Sequence, residues 1–308
     1  MNPVRWGILS ISGHYALRIH HPLSGLPEAF IRGIASRDPA KAAQAAARLG
    51  IGKSYGSYAE LLADPEIEAV YIPLPNTLHA ELAKAALDAG KHVLCEKPIA
   101  MDAAEARAMA ARAEEKGLIL MEAFMYRFHP QWIRAKEIIT AGEIGRPRFI
   151  NVSFSYNNAD PANIRNKLET GGGALYDIGC YAVSASRWLA GAEPARALSL
   201  VERDPGFGTD SLSSGILDFG PGGCRASFTV STRAFPVQRV EVTGDKGSIA
   251  IILPFNAYPD VPMAVEVATS LGLRRIEAGP VDQYAALFGA FSRPSAPAAP
   301  PPRPCRTA

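Results

Sequence analysis

Residues 93–98 read Val-Leu-Cys-Glu-Lys-Pro, an apolar strand that ends in an acid, a base and a proline. The run lies inside an alternation of strand and helix signals that fills the first 120 residues of the chain, and such an alternation predicts a parallel sheet. In open α/β sheets, ligands bind outside the carboxyl ends of the strands. We therefore expect Glu96 and Lys97 to lie at a ligand-binding edge.

Working outward from this run, the first part of the chain predicts a Rossmann-type, doubly wound nucleotide-binding domain over residues 1–125. Alanine-rich stretches with apolar faces predict helices between the strands. The predicted strands are 4–9, 30–36, 68–72, 92–95 and 118–121, and the predicted helices are 39–49, 57–62, 79–89 and 103–116.

The pattern changes after Tyr126. Two predicted helices and a series of strands indicate an α+β domain with a mostly antiparallel, open-faced sheet over residues 126–290; its assignment as the substrate-binding and oligomerisation domain is implied by the family resemblance described below. The helices are expected at 130–141 and 174–189, and the strands at 148–156, 198–202, 211–218, 224–232, 238–243 and 248–252. Residues 291–308 are rich in proline and alanine and are predicted to be a disordered tail.

Composition excludes several classes of protein. The chain has 308 residues and a net charge of +2, so no broad field favours nucleic acid. No apolar run reaches the ~18 residues that a membrane helix needs. Four cysteines lie far apart without metal-binding spacing, which predicts reduced thiols, no metal site and a cytoplasmic protein.

The first strand leads into residues 7–15, where a dinucleotide-binding loop is expected. Ser10, Ser12 and Tyr15 hold the positions of its three glycines. The two serines are small enough for the loop, so we predict that Ser10, Ser12 and Gly13 contact a diphosphate. Tyr15 is bulky where close packing of strand and helix is usual.

The end of the second strand predicts the type of dinucleotide. An acid there would bind the ribose of NAD, but Ser36 and Arg37 occupy the position. A hydroxyl and a guanidinium suit a 2′-phosphate, and Lys41 adds charge. The sequence favours NADP over NAD, with a solvated arginine at a helix start as the alternative.

The loop after the third predicted strand contains two prolines and several polar residues. Its place at the carboxyl edge of the sheet predicts that Leu74, Asn76 and His79 face the cofactor. Thr77 serves equally well as a simple helix cap.

A glycine run, residues 171–173, opens a helix that carries Asp177 and Tyr181. Residues four apart share one helical face, so the carboxylate and the phenol can act together. Facing Lys97, they would form a proton relay, although such a pair on a helix is more often structural. Arg165, in the preceding polar segment, is expected to touch the sugar or the nicotinamide.

Taken together, these motifs resemble the glucose–fructose oxidoreductase / inositol dehydrogenase family (Gfo/Idh/MocA). With tyrosine at position 181, where many relatives have histidine, the chain resembles the branch of NADP-dependent aldose (xylose-type) dehydrogenases and dimeric dihydrodiol dehydrogenases. The matching segments are residues 6–9, 35–38, 73–79, 95–98, 121–130 and 171–181.

The resemblance implies catalytic roles for Lys97, Asp177 and Tyr181, with Glu96 and Lys97 beside the nicotinamide. It implies hydride transfer between NADP and a sugar or related cyclic alcohol, without a metal. It also implies a homodimer or higher homo-oligomer that pairs through the open face of the second sheet.

Two departures from the family keep other functions open. Relatives usually carry glycine or alanine where Tyr15 stands, and the chain from Ala285 onward does not resemble theirs. One alternative is a nucleotide-binding protein with weak or no catalysis, either a sensor or a decayed enzyme. The other is an enzyme like glucose–fructose oxidoreductase that keeps NADP tightly bound.

Overall fold

A computed structural model describes residues 2–293 of the chain. These residues form two compact units. The first contains the residues up to Phe124 and those from Tyr284 onward, and the second runs from Met125 to Gln283. Residues 294–308 of the predicted tail lie outside the described residues.

The first unit is built on a six-stranded sheet. Its strands are β1 (Val4–Leu9), β2 (Ala29–Ala35), β3 (Ser54–Tyr55), β4 (Ala69–Ile72), β5 (His92–Cys95) and β6 (Leu120–Glu122). They lie in the order β3-β2-β1-β4-β5-β6, and every neighbouring pair is parallel. This is the strand order of a doubly wound nucleotide-binding sheet. The carboxyl ends of β1, β2, β4 and β5 therefore share one edge.

Helices connect these strands, and local sequence explains their limits. The carboxylate of Asp38 accepts hydrogen bonds from the first turn of α2, and Asp102 does the same for α5. Gly117 ends α5 in the left-handed conformation, at φ 63°. The helices are α1 (His20–Ser24), α2 (Pro39–Leu49), α3 (Tyr58–Ala63), α4 (His79–Asp88) and α5 (Ala103–Lys116).

The second unit contains an eight-stranded sheet in the order β14-β13-β12-β11-β7-β10-β9-β8. Of its neighbouring pairs, only β7 and β10 run parallel. The elements are α6 (Pro130–Thr140), β7 (Pro147–Asn157), α7 (Cys180–Ala190), β8 (Arg196–Arg203), β9 (Asp210–Asp218), β10 (Arg225–Ser231), β11 (Arg233–Gly244), β12 (Gly247–Ile251), β13 (Met263–Thr269) and β14 (Gly272–Ala278).

One face of this sheet is covered and the other is open. On β7, the alternate residues Ile150, Val152 and Phe154 are buried, and α7 packs against β7 and β10. The residues that point the other way include several exposed apolar side chains: Phe149, Leu198, Leu200, Ile216 and Val237. The two units thus confirm the predicted fold, a Rossmann-type domain and an α+β domain with a mostly antiparallel, open-faced sheet.

The last described helix, α8 (Gln283–Ser292), corrects the predicted end of the second domain. From Tyr284 it groups with the first unit, whereas the prediction kept residues up to 290 in the second and began a disordered tail at 291. The rings of Phe288 and Phe291 each lie 5.0 Å from that of Trp6 on β1. Burial of these aromatic rings fixes the helix there, and local composition carries no sign of it.

None of the helices in the described part of the chain is both long and apolar enough to span a bilayer.

Candidate active site

The first turn after β1 keeps a glycine-like backbone without the glycine. Ser10 has φ 149°, a conformation that residues with a side chain rarely adopt. Ser12 Oγ accepts a hydrogen bond from the backbone nitrogen of Tyr15 at 3.1 Å and so caps the helical turn that follows. A Cβ built on Gly13 meets nothing within 4 Å, so this position is open.

Tyr15 turns into the core of the first unit. Its ring lies 6.2 Å from that of Tyr71, and its hydroxyl lies 3.1 Å from His20 Nδ1. The side chain is fully buried, and burial raises the pKa of Tyr15 so that the phenol stays neutral. Its bulk is accommodated among aromatic side chains instead of filling the loop.

The end of β2 presents basic side chains. Arg37 is exposed, and its charge opposes the rise that burial causes in the pKa of Tyr58. Lys41 Nζ lies 3.7 Å from Asp38 Oδ2. Asp38 Oδ1 accepts hydrogen bonds from two backbone nitrogens of α2, so this carboxylate is engaged as a helix cap. Ser36 is buried, and its Oγ accepts a hydrogen bond from the Asp38 nitrogen at 3.2 Å.

His79 joins two loops at the carboxyl edge of the sheet. Its Nδ1 lies 2.8 Å from the carbonyl oxygen of Pro98, and its Nε2 lies 2.9 Å from that of Leu74. The ring is fully buried, and burial lowers the pKa of His79 while the two carbonyls oppose the shift. Both ring nitrogens face protein atoms. We therefore assign His79 to the support of these loops rather than to the direct cofactor contact that the sequence predicted.

Glu96, at the end of β5, is held by residues that the sequence motifs did not single out. The hydroxyl of the buried Tyr71 donates a hydrogen bond to Glu96 Oε1 at 2.5 Å, and His14 Nε2 lies 3.7 Å from the same oxygen. Burial, together with the charge of Glu96, raises the pKa of Tyr71. Lys97 follows directly, is partly buried, and is joined to Pro98 by a cis peptide bond. The acid and the base of the motif thus stand at the edge where ligands bind in this fold.

In the second unit, a buried carboxylate is held by two donors. Arg165 Nε lies 2.9 Å from Asp177 Oδ1, and the hydroxyl of Tyr156 donates to Asp177 Oδ2 at 2.6 Å. We call these three residues the Asp177 cluster. The negative charge of Asp177 is the main cause that raises the pKa of Arg165. Sequence reasoning missed Tyr156, although it lies two residues beyond Phe154 and so on the same face of β7.

The glycine run brings Arg165 to this carboxylate. A Cβ on Gly172 would lie 2.5 Å from the carbonyl oxygen of Arg165, and a Cβ on Gly173, at φ 120°, would overlap Asp210. The nitrogen of Gly173 donates to the same Arg165 carbonyl at 2.9 Å. The run is therefore needed for close packing. It leads into a π-helical turn, Leu175–Gly179, that carries Asp177, and such turns are frequent at functional sites.

Tyr181 lies in an aromatic environment next to this cluster. Its ring packs 5.1 Å from Phe255 and 5.7 Å from Phe154. Its hydroxyl lies 3.5 Å from the sulfur of Met125. Asp177 is in direct contact with Arg165, and Tyr181 contributes, as the smallest of the causes, to the raised pKa of Arg165.

Comparisons with known proteins agree with this arrangement. Residues 5–124 match a family model described as "Oxidoreductase family, NAD-binding Rossmann fold", and residues 132–250 match the "GFO/IDH/MocA C-terminal domain".

Individual relatives cover most of the chain. A D-xylose 1-dehydrogenase (NADP(+)) of Haloferax volcanii is 40% identical, over 84% of this chain and 79% of its own length. A trans-1,2-dihydrobenzene-1,2-diol dehydrogenase of Mus musculus is 36% identical, over 80% and 74%. The crystal structure of a 3-ketoreductase from Actinomadura kijaniata, in complex with NADP and TDP-benzene, superimposes with a TM-score of 0.88 at 30% identity, over 94% and 89%.

Proposed function

The chain belongs to the GFO/IDH/MocA family of oxidoreductases, and from this premise we propose that it transfers a hydride reversibly between NADP(H) and an aldose sugar or related cyclic alcohol. The family membership makes the protein an NAD(P)-dependent dehydrogenase; the preference for NADP and the aldose substrate are the proposal. The observation that carries it is the buried Asp177 cluster beside Tyr181, which supplies a fixed carboxylate and a phenol for acid–base chemistry.

The residues of the first unit suit a dinucleotide with a 2′-phosphate. Arg37 and Lys41 bring positive charge to the end of β2, with Ser36 as a neighbouring hydroxyl, and Asp38 is occupied as a helix cap. The open position at Gly13, next to the cap that Ser12 provides, suits the approach of a diphosphate to the backbone. Ser10 belongs to the same turn.

At the other end of the cofactor, we propose that Leu74, Asn76, Glu96 and Lys97 surround the nicotinamide, because they follow β4 and β5 at the ligand-binding edge. Once bound, the nicotinamide supplies the hydride acceptor or donor. We also propose that Arg165, which the sequence predicts to touch the nicotinamide or the sugar, is held in position for this contact by its ion pair with Asp177.

We assign three residues to the chemistry. In the oxidative direction, Tyr181 Oη accepts the proton of the substrate hydroxyl, directly or through water, and in reduction it returns that proton. The positive charge of Lys97 favours the deprotonated phenol and stabilises the developing alkoxide. Asp177 orients the substrate by accepting a hydrogen bond from one of its hydroxyls. Acid–base catalysis of this kind contributes roughly 10²–10⁴-fold in rate.

We also propose that the protein pairs with a second copy through the open face of the second sheet. Leu198 is 71% exposed and Leu200 is 81% exposed on that face, and a contiguous apolar patch of this kind is typical of an interaction surface. Light scattering on the wild-type protein should give at least a dimer, and Leu200→Lys should weaken it. A monomer at micromolar concentration would contradict the proposal. The cytoplasmic location stays a prediction from the sequence.

The first test of the proposed function is cofactor binding. Dialysed protein is titrated separately with NADPH and NADH while the nicotinamide fluorescence is followed. We expect tight binding that prefers NADPH, and then turnover in a panel of aldoses that includes D-xylose. Binding without turnover on any aldose or cyclic alcohol would favour the sensor alternative. Nicotinamide that survives dialysis would favour the enzyme that retains its cofactor.

Tyr181→Phe tests the assigned chemistry. The ring and its aromatic contacts remain while the hydroxyl is lost, so kcat should fall by about 100-fold or more and NADPH affinity should stay unchanged. Tyr258→Phe is the matched control, because Tyr258 is 58% exposed in the same unit. Full activity of Tyr181→Phe would remove this residue from the mechanism.

A further inference from the structure

The carboxylate of Asp177 has a neighbour on β7, the phenol of Tyr156, which donates a hydrogen bond to Oδ2 at 2.6 Å. The hydrogen bond is short for an O–H···O contact, as expected when the acceptor is ionised. With Arg165 Nε at 2.9 Å from the other oxygen, each carboxylate oxygen has its own donor. The plane of the carboxylate is therefore fixed by these two donors.

Strand β7 links this contact to the proposed proton acceptor. Phe154 and Tyr156 are two apart and point to the same side of the strand. The ring of Phe154 packs on Tyr181 at 5.7 Å, while the hydroxyl of Tyr156 bonds to Asp177. The strand end is itself anchored, since Ser155 Oγ donates to the carbonyl oxygen of Phe235 at 2.6 Å. A single strand thus contacts both Asp177 and Tyr181.

Asp177, which accepts the hydrogen bond from Tyr156, lies in a π-helical turn and not in a regular α-helix. A single π-helical turn inside a helix, with i→i+5 hydrogen bonds, is frequent at functional sites. Asp177 lies within that turn, whereas Tyr181 lies in the regular helix that follows. Tyr156 holds the carboxylate from outside the turn, from β7.

We infer that Tyr156 is a positioning residue of the active site, which acts through Asp177 by fixing the orientation of its carboxylate and keeping it ionised for the substrate hydroxyl. The inference rests on the proposed function, because it assigns Asp177 to substrate orientation. Hydrogen bonds donated to a carboxylate favour its charged form. Loss of the phenol should therefore let the carboxylate turn and take up a proton more readily, while the positive charge of Arg165 beside it is unchanged.

The test is Tyr156→Phe, which removes one oxygen and keeps the ring. With the aldose that the wild-type protein turns over best, kcat/KM should fall about 10- to 100-fold, the effect expected for a hydrogen bond to a charged group. The acid limb of the kcat/KM profile should move to higher pH, and NADPH affinity should not change. A purely structural role would not move the pH profile. Tyr258→Phe, an exposed tyrosine of the same unit, is the control.

A double-mutant cycle shows whether Tyr156 acts through Asp177. In an Asp177→Asn background, Tyr156→Phe should cost less than about threefold, because the interaction is already changed. Independent, multiplicative losses would overturn the inference, as would a Tyr156→Phe protein with wild-type kcat/KM and pH profile. If Tyr156→Phe fails to fold, Arg165→Lys removes the other donor's planar fork, and the same shift of the acid limb is expected.

A readout without turnover separates this inference from the proposed function. Inactivity of the wild-type protein on every aldose would sink the proposed function alone. The titration of the Asp177 carboxyl carbon, followed by carbon-13 NMR and assigned with Asp177→Asn, should then still shift to higher pH in Tyr156→Phe. An unshifted midpoint would overturn the role of Tyr156.

Discussion

The ring of His79 lies 2.8 Å from the carbonyl oxygen of Pro98 and so ties the start of α4 to the segment that carries Lys97. The same ring reaches Leu74 on the loop after β4. Two loops that we propose to surround the nicotinamide thus depend on one buried side chain. His79 thus supports the proposed site through the backbone of these two loops.

Replacing His79 by leucine should weaken both the fold and the cofactor site. The variant fills the space with an apolar side chain but removes the ring N–H, so the carbonyl oxygen that accepts from it loses its donor, which costs about 1–3 kcal/mol. We expect a lower melting temperature and a higher Kd for NADPH. The same exchange at His21, which is exposed in the same unit, should change neither. An unchanged NADPH Kd in the His79 variant would show that the loops keep their positions without it.

Ser10→Gly should stabilise the protein. The wild-type serine holds φ 149°, and relief of such backbone strain is worth on the order of 1–3 kcal/mol, less roughly 0.5–1 kcal/mol for the added freedom of glycine when unfolded. The net gain should be about 1 kcal/mol in urea unfolding. Ser10→Ala keeps the Cβ and should show no gain. A loss of stability in the glycine variant would mean that the serine side chain holds the turn.

Arg37→Gln should change the choice of cofactor. The guanidinium at the end of β2 is exposed and suited to a 2′-phosphate, so the affinity for NADPH should drop by about tenfold or more while that for NADH stays the same. Arg48→Gln removes a positive charge from the last turn of α2, the helix that follows Arg37, and is the control for the loss of charge alone. Equal losses for both dinucleotides would contradict a role in reading the 2′-phosphate.

Stability should fall as the pH is lowered below the ordinary range of histidine. His129 is fully buried, its Nδ1 accepts a hydrogen bond from the Gln131 nitrogen, and burial lowers the pKa of His129. The unfolded chain therefore binds a proton at a higher pH than the folded one. Its contribution is fully present above about pH 6.5 and is lost as the pH falls toward the lowered value.

Thermal unfolding between pH 7.5 and 5 measures this effect. One such group accounts for up to about 1.4 kcal/mol per pH unit. His129→Asn keeps an acceptor for the helix start but removes the titration, so its pH dependence should be shallower than that of the wild type. His21→Asn, at an exposed site, should follow the wild type. Parallel curves for His129→Asn and the wild type would assign the acid sensitivity to other groups.

Local sequence was sufficient to predict elements whose first and last residues are marked by capping residues or by the ends of an apolar run. Helix α2 spans the predicted residues, because Asp38 caps its start and a glycine follows its last residue. Strand β5 was predicted with its observed bounds from a short apolar run. The two-residue β3 has no alternation to detect. Strand β13 does alternate, with Met263, Val265 and Val267 buried, and this signal went unused.

The candidate site was predictable only in part, because local spacing is visible in the sequence and contacts between distant residues are not. The four-residue spacing of Asp177 and Tyr181 is visible in the sequence, and in the structure Asp177 forms an ion pair with Arg165 while Tyr181 packs against Phe154 and Phe255. The contact of Arg165 with Asp177 requires the chain to fold back through the glycine run, and that of Tyr156 requires β7 to lie beside the helix. Contacts between residues distant in the chain depend on tertiary packing, which no local pattern encodes.

The packing of Trp6 against Phe288 and Phe291 also has a consequence for synthesis. The ribosome makes Trp6 well before Phe291, which lies far along the chain. At roughly 5–20 residues per second, tens of seconds separate the two. During that interval the nascent first unit exposes an indole that its last helix will cover. The unit that is translated first is thus the one completed last, and binding of a chaperone to nascent chains should persist until α8 has left the exit tunnel.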